Sequence, residues 1–287
     1  MMSSCWQISF RISGEIREEF ENFLEEYFEV YAQNFDDDGK DEYIGYTAKD
    51  FKEEDMQESA KKRGLTLPPY KAEKLESANW LKDYVIRFAP FEVADFCIYG
   101  IHEKEAPQTK KIPLQIYAAT AFGSDHQTTR ACLTAISELY HNGFAPQKIL
   151  DVGTGSGILS LAAASLWPKA EITAVDIDDE SVLVTQSNAQ NNNLESKMKI
   201  CQSDGYKAPL VKENAPYDLV LANILARPLL EMAPDLQKHL SAKGYAILSG
   251  FVDNQTDWII STHQQHGLKS CKLFEFDNWR AALLQKA

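Results

Sequence analysis

Over the second half of the chain, short apolar runs alternate with longer amphipathic segments. The apolar runs predict strands at 148–152, 171–176, 198–202, 217–223 and 244–250, and the amphipathic segments predict helices at 157–166, 179–191, 228–240 and 253–265. Strands that alternate with helices in this way form a parallel, doubly wound sheet, because each crossover helix returns the chain to the same edge. The last two apolar stretches, 270–276 and 280–284, predict an antiparallel hairpin at one edge of that sheet.

The first 77 residues follow a different pattern. Apolar residues alternate with polar ones from Trp6 to Ile12, which predicts a half-buried strand. An apolar stripe at helical spacing then predicts a helix at 15–29. Further strands are expected near 30–34, 42–48 and 70–76, with a helix at 51–63. The order β-α-β-β-α-β predicts a small α+β domain of the ferredoxin-like type.

The length of 287 residues, with 44% hydrophobic content, allows two domains with packed cores. We predict an N-terminal domain at 1–77, a connecting helix or linker at 78–92 and a larger α/β domain at 93–287. No apolar run has the length of a membrane span, and the first residues lack the basic and apolar regions of a signal peptide. We therefore expect a cytoplasmic protein with no membrane partner, and we expect a monomer.

Acidic residues are concentrated in the small domain. Residues 1–77 contain nineteen Asp or Glu against ten Lys or Arg, in a chain of net charge −13. The negative electrostatic field of these residues opposes direct binding to nucleic acid and favours a basic protein as partner. An acidic surface that only interacts with solvent explains the same charge and is the alternative.

The five cysteines are spread along the chain. None belongs to a C-x-x-C pair or lies beside a cluster of histidines, so the sequence predicts free thiols and no metal site. They are Cys5, Cys97, Cys132, Cys201 and Cys271.

The first predicted strand of the large domain ends in a turn with three alternate glycines, Gly153, Gly155 and Gly157. Glycine can adopt positive φ and lets the backbone approach a ligand closely, while the helix that follows presents free N–H groups. Dinucleotide-binding folds typically have the motif G-x-G-x-x-G, but Ile158 stands where the third glycine of that motif would be. Asp176 ends the next strand, where a carboxylate can bind a ribose diol. The glycine turn and Asp176 together predict a nucleoside-binding site without a pyrophosphate loop. The alternative is that the glycines only form a tight turn.

The strand predicted at 217–223 ends in Asn223. The carboxyl edge of an open parallel sheet is where ligands bind, so this amide faces the same crevice as the glycine turn. Its oxygen can accept a hydrogen bond from an amine. A carboxylate would hold the proton on the amine, so an amide suits an amine nucleophile better. Capping of the next helix is the alternative role for Asn223.

In type and order, these residues resemble the class I methyltransferases that depend on S-adenosylmethionine. The resemblance implies that Asp151, Gly153 and Gly155 belong to the turn that holds the methionine end of the cofactor. It also implies that Asp176 binds the ribose and that Asp204, after the third strand, lies beside the adenine. Asp204 and the glycine after it are also an ordinary turn pair, which is the alternative.

Over the whole chain, the sequence resembles the ribosomal protein L11 methyltransferase family. Four stretches carry this resemblance: Trp80 with 88–90, then 121–130, then 151–159 with 175–178, and finally 223–226 with 228–234. It implies a Rossmann-like methyltransferase domain in which Thr129 contacts S-adenosylmethionine and Asn223 lies by both the cofactor and the substrate amine. The implied reaction is methyl transfer to lysine side chains or the N-terminal amine of ribosomal protein L11, which the acidic small domain recognises.

One loop departs from the family pattern. The family commonly has A-F-G-T-G-x-H-x-T-T, whereas residues 121–129 here lack one residue and the second glycine. We interpret His126 in this loop as a residue that orders the local backbone, with a catalytic role beside Asp125 as the alternative. Two other functions also stay open: methylation of a different protein or a small-molecule amine, and cofactor binding without catalysis.

Overall fold

The computed structural model describes residues 5–11, 20, 23–24, 27–28, 30–35, 41–47, 51–75, 88–103, 105–117 and 127–287. The chain divides into two compact units, residues 1–84 and 85–287. Most of the predicted linker at 78–92 lies outside the described residues, so the division at 77 and 92 stays a prediction. None of the helices in the described ranges is long and apolar enough to cross a membrane.

The N-terminal unit contains a four-stranded antiparallel sheet. Its strands are β1 (Cys5–Arg11), β2 (Val30–Phe35), β3 (Asp41–Thr47) and β4 (Tyr70–Leu75), in the order β2-β3-β1-β4, and helix α1 (Glu53–Lys62) lies between β3 and β4 in the chain. The predicted strands and the helix at 51–63 are therefore confirmed. The alternation in β1 is confirmed as well, because Ile8 and Phe10 are fully buried.

The apolar stripe predicted at 15–29 lies partly within the described residues. Phe20, Phe23, Leu24 and Tyr27 are helical, and the first three are buried. The ring of Phe10 lies 5.4 Å from that of Phe20, so the stripe packs against β1 as core. Phe28, the last residue of the stripe, is buried but is not helical. The other residues of this predicted helix lie outside the described part, and the ferredoxin-like topology stays a prediction.

The larger unit begins with a small sheet and a helix that the sequence pattern did not predict. The sheet consists of β5 (Phe91–Val93), β6 (Phe96–Gly100) and β7 (Ile112–Ile116) in that order, and helix α2 (Gln127–His141) follows. These strands have only three to five residues, and β6 is buried throughout. Runs of three to five residues are too short for a clear period-two signal, which is why the pattern missed these strands.

A seven-stranded sheet forms the centre of this unit. Its strands are β8 (Lys148–Val152), β9 (Glu171–Asp176), β10 (Met198–Gln202), β11 (Tyr217–Asn223), β12 (Leu240–Val252), β13 (Leu268–Phe276) and β14 (Trp279–Lys286), in the order β10-β9-β8-β11-β12-β14-β13. The pairs from β10 to β12 are parallel, and β14 is antiparallel to both of its neighbours. The predicted doubly wound, mostly parallel sheet with a C-terminal antiparallel hairpin is confirmed.

The helices of this sheet are α3 (Ile158–Leu166), α4 (Asp179–Asn191), α5 (Pro209–Asn214), α6 (Ala226–Glu231), α7 (Ala233–His239) and α8 (Thr256–Gln265). The single helix predicted at 228–240 is wrong, because α6 and α7 are separate and Met232 lies between them. Pro234 explains the break, since proline has no N–H to continue a helix and favours the first turn of a new one. The short helix α5 was not predicted.

Two asparagines join helix α4 to the small sheet. The side chain of Asn188 is fully buried, and its Nδ2 donates hydrogen bonds to Tyr117 O at 3.0 Å and to Ser156 O at 2.8 Å. Its Oδ1 accepts a bond from Tyr117 N at 2.7 Å. Asn192 makes a similar pair of bonds with the backbone of Gln115. The asparagines thereby connect the end of β7 to the glycine turn.

We expect Asn188→Ala to lower the free energy of unfolding by about 3 kcal/mol, because it leaves three buried backbone groups without partners. Urea denaturation measures this change. The control is Gln190→Ala, which truncates an exposed side chain on the same helix. Equal stabilities of the two variants would contradict the role given to Asn188.

Candidate functional site

The glycine turn between β8 and α3 has a packed side and an open side. Gly153, Gly155 and Gly157 have φ values of 72°, 55° and 79°, which side chains rarely adopt. A Cβ at Gly153 would lie 2.3 Å from Ile224 Cγ2, and one at Gly157 would lie 2.9 Å from Thr185 Cγ2. A Cβ at Gly155 would meet no atom within 4 Å. The turn is therefore packed at both ends and open in the middle, at Gly155.

Asp151 anchors this turn. Its side chain is only 1% exposed, and its Oδ2 accepts hydrogen bonds from Thr154 Oγ1 at 2.9 Å and from Ser160 Oγ at 2.6 Å. Burial raises the pKa of the carboxyl to about 6, against the lowering effect of these bonds. The structure thus places Asp151 among the turn's own hydroxyl groups, where it fixes the path from β8 into α3.

Asp176 lies at the carboxyl end of β9, beside the open part of the turn. Its Oδ2 accepts a hydrogen bond from Gly155 N at 2.9 Å, and its Oδ1 accepts one from Asp178 N at 3.1 Å. A carboxylate oxygen can accept two bonds, so each oxygen keeps one acceptor position. Asp178 caps helix α4 by accepting from Ser181 N at 3.0 Å. The position of Asp176 is therefore fixed without using up its capacity to bind a ligand.

The sequence reasoning missed Ile177. This residue lies between two acidic residues and is 65% exposed, and Gln202 Nε2 donates a hydrogen bond to its carbonyl at 2.9 Å. An exposed apolar side chain at this edge can pack against the face of an aromatic ligand. The sequence does contain a signal for this residue. An isoleucine that follows the end of a strand and is surrounded by acidic residues is not expected to pack in the core. Asp204, predicted near the adenine, is exposed and forms an ion pair with Lys207.

The structure brings together Asn223 and Thr129, two predicted site residues that are far apart in the sequence. Asn223 is half-buried at the end of β11, and its Nδ2 donates a hydrogen bond to Thr129 Oγ1 on α2 at 3.2 Å. Thr129 itself is 2% exposed. The capping alternative for Asn223 is not supported, because the N-cap residue of α6 is Leu225 and no side-chain bond caps it.

Three neighbouring strand ends meet at the candidate site. In the parallel ladders, Val152 of β8 lies opposite Val175 of β9 and Ala222 of β11. The glycine turn therefore leaves the sheet between Asp176 and Asn223. Within the described ranges, no cluster of three or more His, Cys, Asp or Glu side chains could hold a metal ion. The loop at 121–126, with Asp125 and His126, lies outside those ranges.

An open, mostly parallel sheet with one antiparallel strand near its edge, together with a glycine turn, an acid and an amide at adjoining strand ends, defines the class I methyltransferase fold. The sequence model described as "Ribosomal protein L11 methyltransferase (PrmA)" matches residues 6–287. This chain belongs to the ribosomal protein L11 methyltransferase family, as its sequence resemblance implied, and is a methyltransferase.

Individual relatives agree with this assignment. The chain is 32% identical over 270 residues to the ribosomal protein L11 methyltransferase of Brucella suis, a match that covers 90% of this chain and 94% of that protein. It is 33% identical over 213 residues to the one from Bradyrhizobium diazoefficiens, covering 74% and 72%. The crystal structure of the ribosomal protein L11 methylase from Lactobacillus delbrueckii subsp. bulgaricus matches with a TM-score of 0.59 at 29% identity, covering 70% of this chain and 100% of that one.

The raised pKa of Asp151 predicts a pH dependence of stability. A carboxyl whose pKa is raised in the folded state stabilises that state while it is protonated, and this contribution is lost as pH rises through about 6. Relative to Asp151→Asn, which does not titrate, we expect the unfolding free energy of the wild type to rise by about 1 kcal/mol from pH 7 to pH 5. Urea denaturation at both pH values measures the difference, and a difference independent of pH would contradict the assignment.

Proposed function

We propose that this protein transfers methyl groups from S-adenosylmethionine to amino groups of ribosomal protein L11, on lysine side chains or the N-terminal amine. Membership of the family supports the reaction and the substrate. The observation that carries the proposal is the position of Asn223, whose amide is held by Thr129 at the strand end next to the glycine turn. An uncharged acceptor at this place suits an amine substrate.

The residues around the turn fit the proposed cofactor. Bound S-adenosylmethionine would supply an electrophilic methyl group on a sulfonium. The spare acceptor positions of Asp176 suit a ribose diol, and the exposed face of Ile177 suits a purine ring. The open face at Gly155 leaves room for the rest of the molecule.

The other predicted residues are assigned roles around this proposed cofactor site. Gly153 and Gly155 form the turn against which the methionine end would lie, and Asp151 supports that turn from within. Thr129 accepts the bond from Asn223 and would also contact the cofactor. Asp204, which is exposed at the same edge of the sheet, would lie near the adenine.

Asn223 would orient the amine. Because its Nδ2 donates to Thr129 Oγ1, its Oδ1 is the atom that can accept an N–H from the substrate. A lysine amine has a pKa of about 10.4 and must lose a proton before its lone pair can attack. Desolvation and a nearby cationic sulfonium lower that pKa, and a neutral amide does not oppose them. Direct in-line attack needs no covalent protein nucleophile, so the chemistry depends on orientation.

The acidic N-terminal unit would recognise the basic substrate. The first turn of α1 carries three exposed acidic residues, Glu53, Glu54 and Asp55. Exposed carboxylates attract a lysine-rich protein over distances set by the Debye length, about 10 Å at 0.1 M salt. We therefore assign substrate recognition to this unit, as the sequence predicts.

The proposal is tested by the intact mass of unmethylated ribosomal protein L11 after incubation with the enzyme and S-adenosylmethionine. We expect successive increments of one methyl group. If the mass stays unchanged although calorimetry shows cofactor binding, the proposed substrate is wrong, and other proteins or small amines become the candidates.

The variant Asn223→Ala should lower the rate of methyl transfer by about 100-fold, because the amine loses the acceptor that aims its lone pair. Cofactor affinity, measured by calorimetry, should be largely unchanged. Asn191→Ala, which truncates an exposed asparagine at the end of α4, serves as the control. Turnover at the wild-type rate by Asn223→Ala would refute the role of Asn223.

Asp176→Ala should weaken cofactor binding by about tenfold or more, because the diol loses its acceptors and the turn loses the bond at Gly155 N. Calorimetric titration with S-adenosylmethionine measures this loss. Asp179→Ala, an exposed acid three residues further on, should bind like the wild type. Equal affinities for both variants would exclude Asp176 from the cofactor site.

A further inference from the structure

Strand β12 contains a bulge at the level of the site. Its register against β14 shifts between Ser249 and Phe251, and Gly250 in between has a φ of 96°. A bulge places one extra residue outside the ladder and bends the strand locally. Here it lies beside the end of β11, because Ser249 is the parallel partner of Asn223.

The backbone of Ile224 occupies the space that the bulge opens. A Cβ at Gly250 would lie 2.0 Å from Ile224 O, 2.6 Å from Ile224 C and 3.0 Å from Ile224 N. The N–H of Ile224 donates a hydrogen bond to Ser249 O at 3.1 Å. The peptide after Asn223 is therefore packed directly on a glycine and bonded to the neighbouring strand.

The side chain of Ile224 packs in the other direction, against the glycine turn. Its Cγ2 lies 2.3 Å from the place that a Cβ at Gly153 would occupy. One residue thus touches β12 through its backbone and the turn through its side chain. Asn223, which immediately precedes it, cannot shift along the sheet edge unless Ile224 moves against one of these two glycines.

We propose that Ile224 is a positioning residue for methyl transfer: held between Gly250 and Gly153, it fixes the distance of Asn223 from the glycine turn. This inference rests on the proposed function of Asn223. In-line transfer between two bound reactants is sensitive to distance, and a displacement of about 1 Å can cost about 100-fold in rate. Ile224 acts through Asn223 and needs no contact with either reactant.

Kinetics of two variants test the proposal. Ile224→Ala removes the side-chain contact with the turn, and Gly250→Ala pushes the Ile224 peptide off β12. We expect each variant to lower kcat by about 10- to 100-fold, with the cofactor Kd changed by less than about twofold. Gly267→Ala is the matched control, because Gly267 has a φ of 79° and a Cβ there meets no atom within 4 Å. Unchanged kcat in Ile224→Ala would overturn the proposal.

A double-mutant cycle separates positioning from general loss of structure. If Ile224 acts through Asn223, Ile224→Ala should cause no further loss of kcat in a protein that already carries Asn223→Ala. Additive losses would show that Ile224 acts independently of Asn223, and would overturn the proposal.

A spectroscopic measurement gives a result even if ribosomal protein L11 is not the substrate. The side-chain amide of Asn223 in ¹⁵N-labelled protein is assigned by its absence in Asn223→Ala. We expect this resonance to shift in Gly250→Ala, 27 positions away in the chain, and to stay in place in Gly267→Ala. An unmoved resonance in Gly250→Ala would refute the positioning role, whereas an inactive wild type would refute only the proposed function.

Discussion

The parallel pairing of β8 with both β9 and β11 is the constraint on which the site depends. It places Val152 opposite Val175 on one side and opposite Ala222 on the other, so the three strands end at the same level of the sheet. Parallel strands need a crossover between them, and residues far apart in the sequence therefore meet at one edge. Backbone hydrogen bonds between the strands therefore determine which side chains lie together at this edge.

The glycine turn is held by polar groups of its own fold. Asp151 binds its hydroxyl groups from within, Asp176 accepts from Gly155 N, and Thr185 Oγ1 donates to Gly155 O at 2.9 Å. Asn188 adds a bond to Ser156 O and ties the turn to β7. A loop with positive φ at three positions loses much conformational entropy on folding, and this network offsets that cost. The turn is consequently held by hydrogen bonds and packing at its ends and is open where a ligand would lie.

Much of the larger unit could be predicted from the sequence, because its strands are continuous apolar runs and its helices have caps such as Asp178. Asp176 and Asn223 were found because they end such runs. The break at Met232 was missed although Pro234 signals it, because the apolar periodicity runs through both helices. The short strands β5 to β7 and the bulge at Gly250 were missed because they depend on tertiary packing and not on periodicity. Thr129 came from family resemblance alone, because no local pattern indicates a hydrogen bond to a residue 94 positions away.

The orientation of Asp176 affects how fast a ligand can bind to and dissociate from the proposed cofactor site. Its carboxylate is already oriented by two backbone N–H groups, one of them from the turn itself. A site ordered in advance pays little entropy when a ligand arrives and requires no reorganisation when it leaves. Exchange of spent for fresh cofactor should therefore not demand any opening of the glycine turn, and slow conformational steps in the catalytic cycle would have to lie in other segments of the chain.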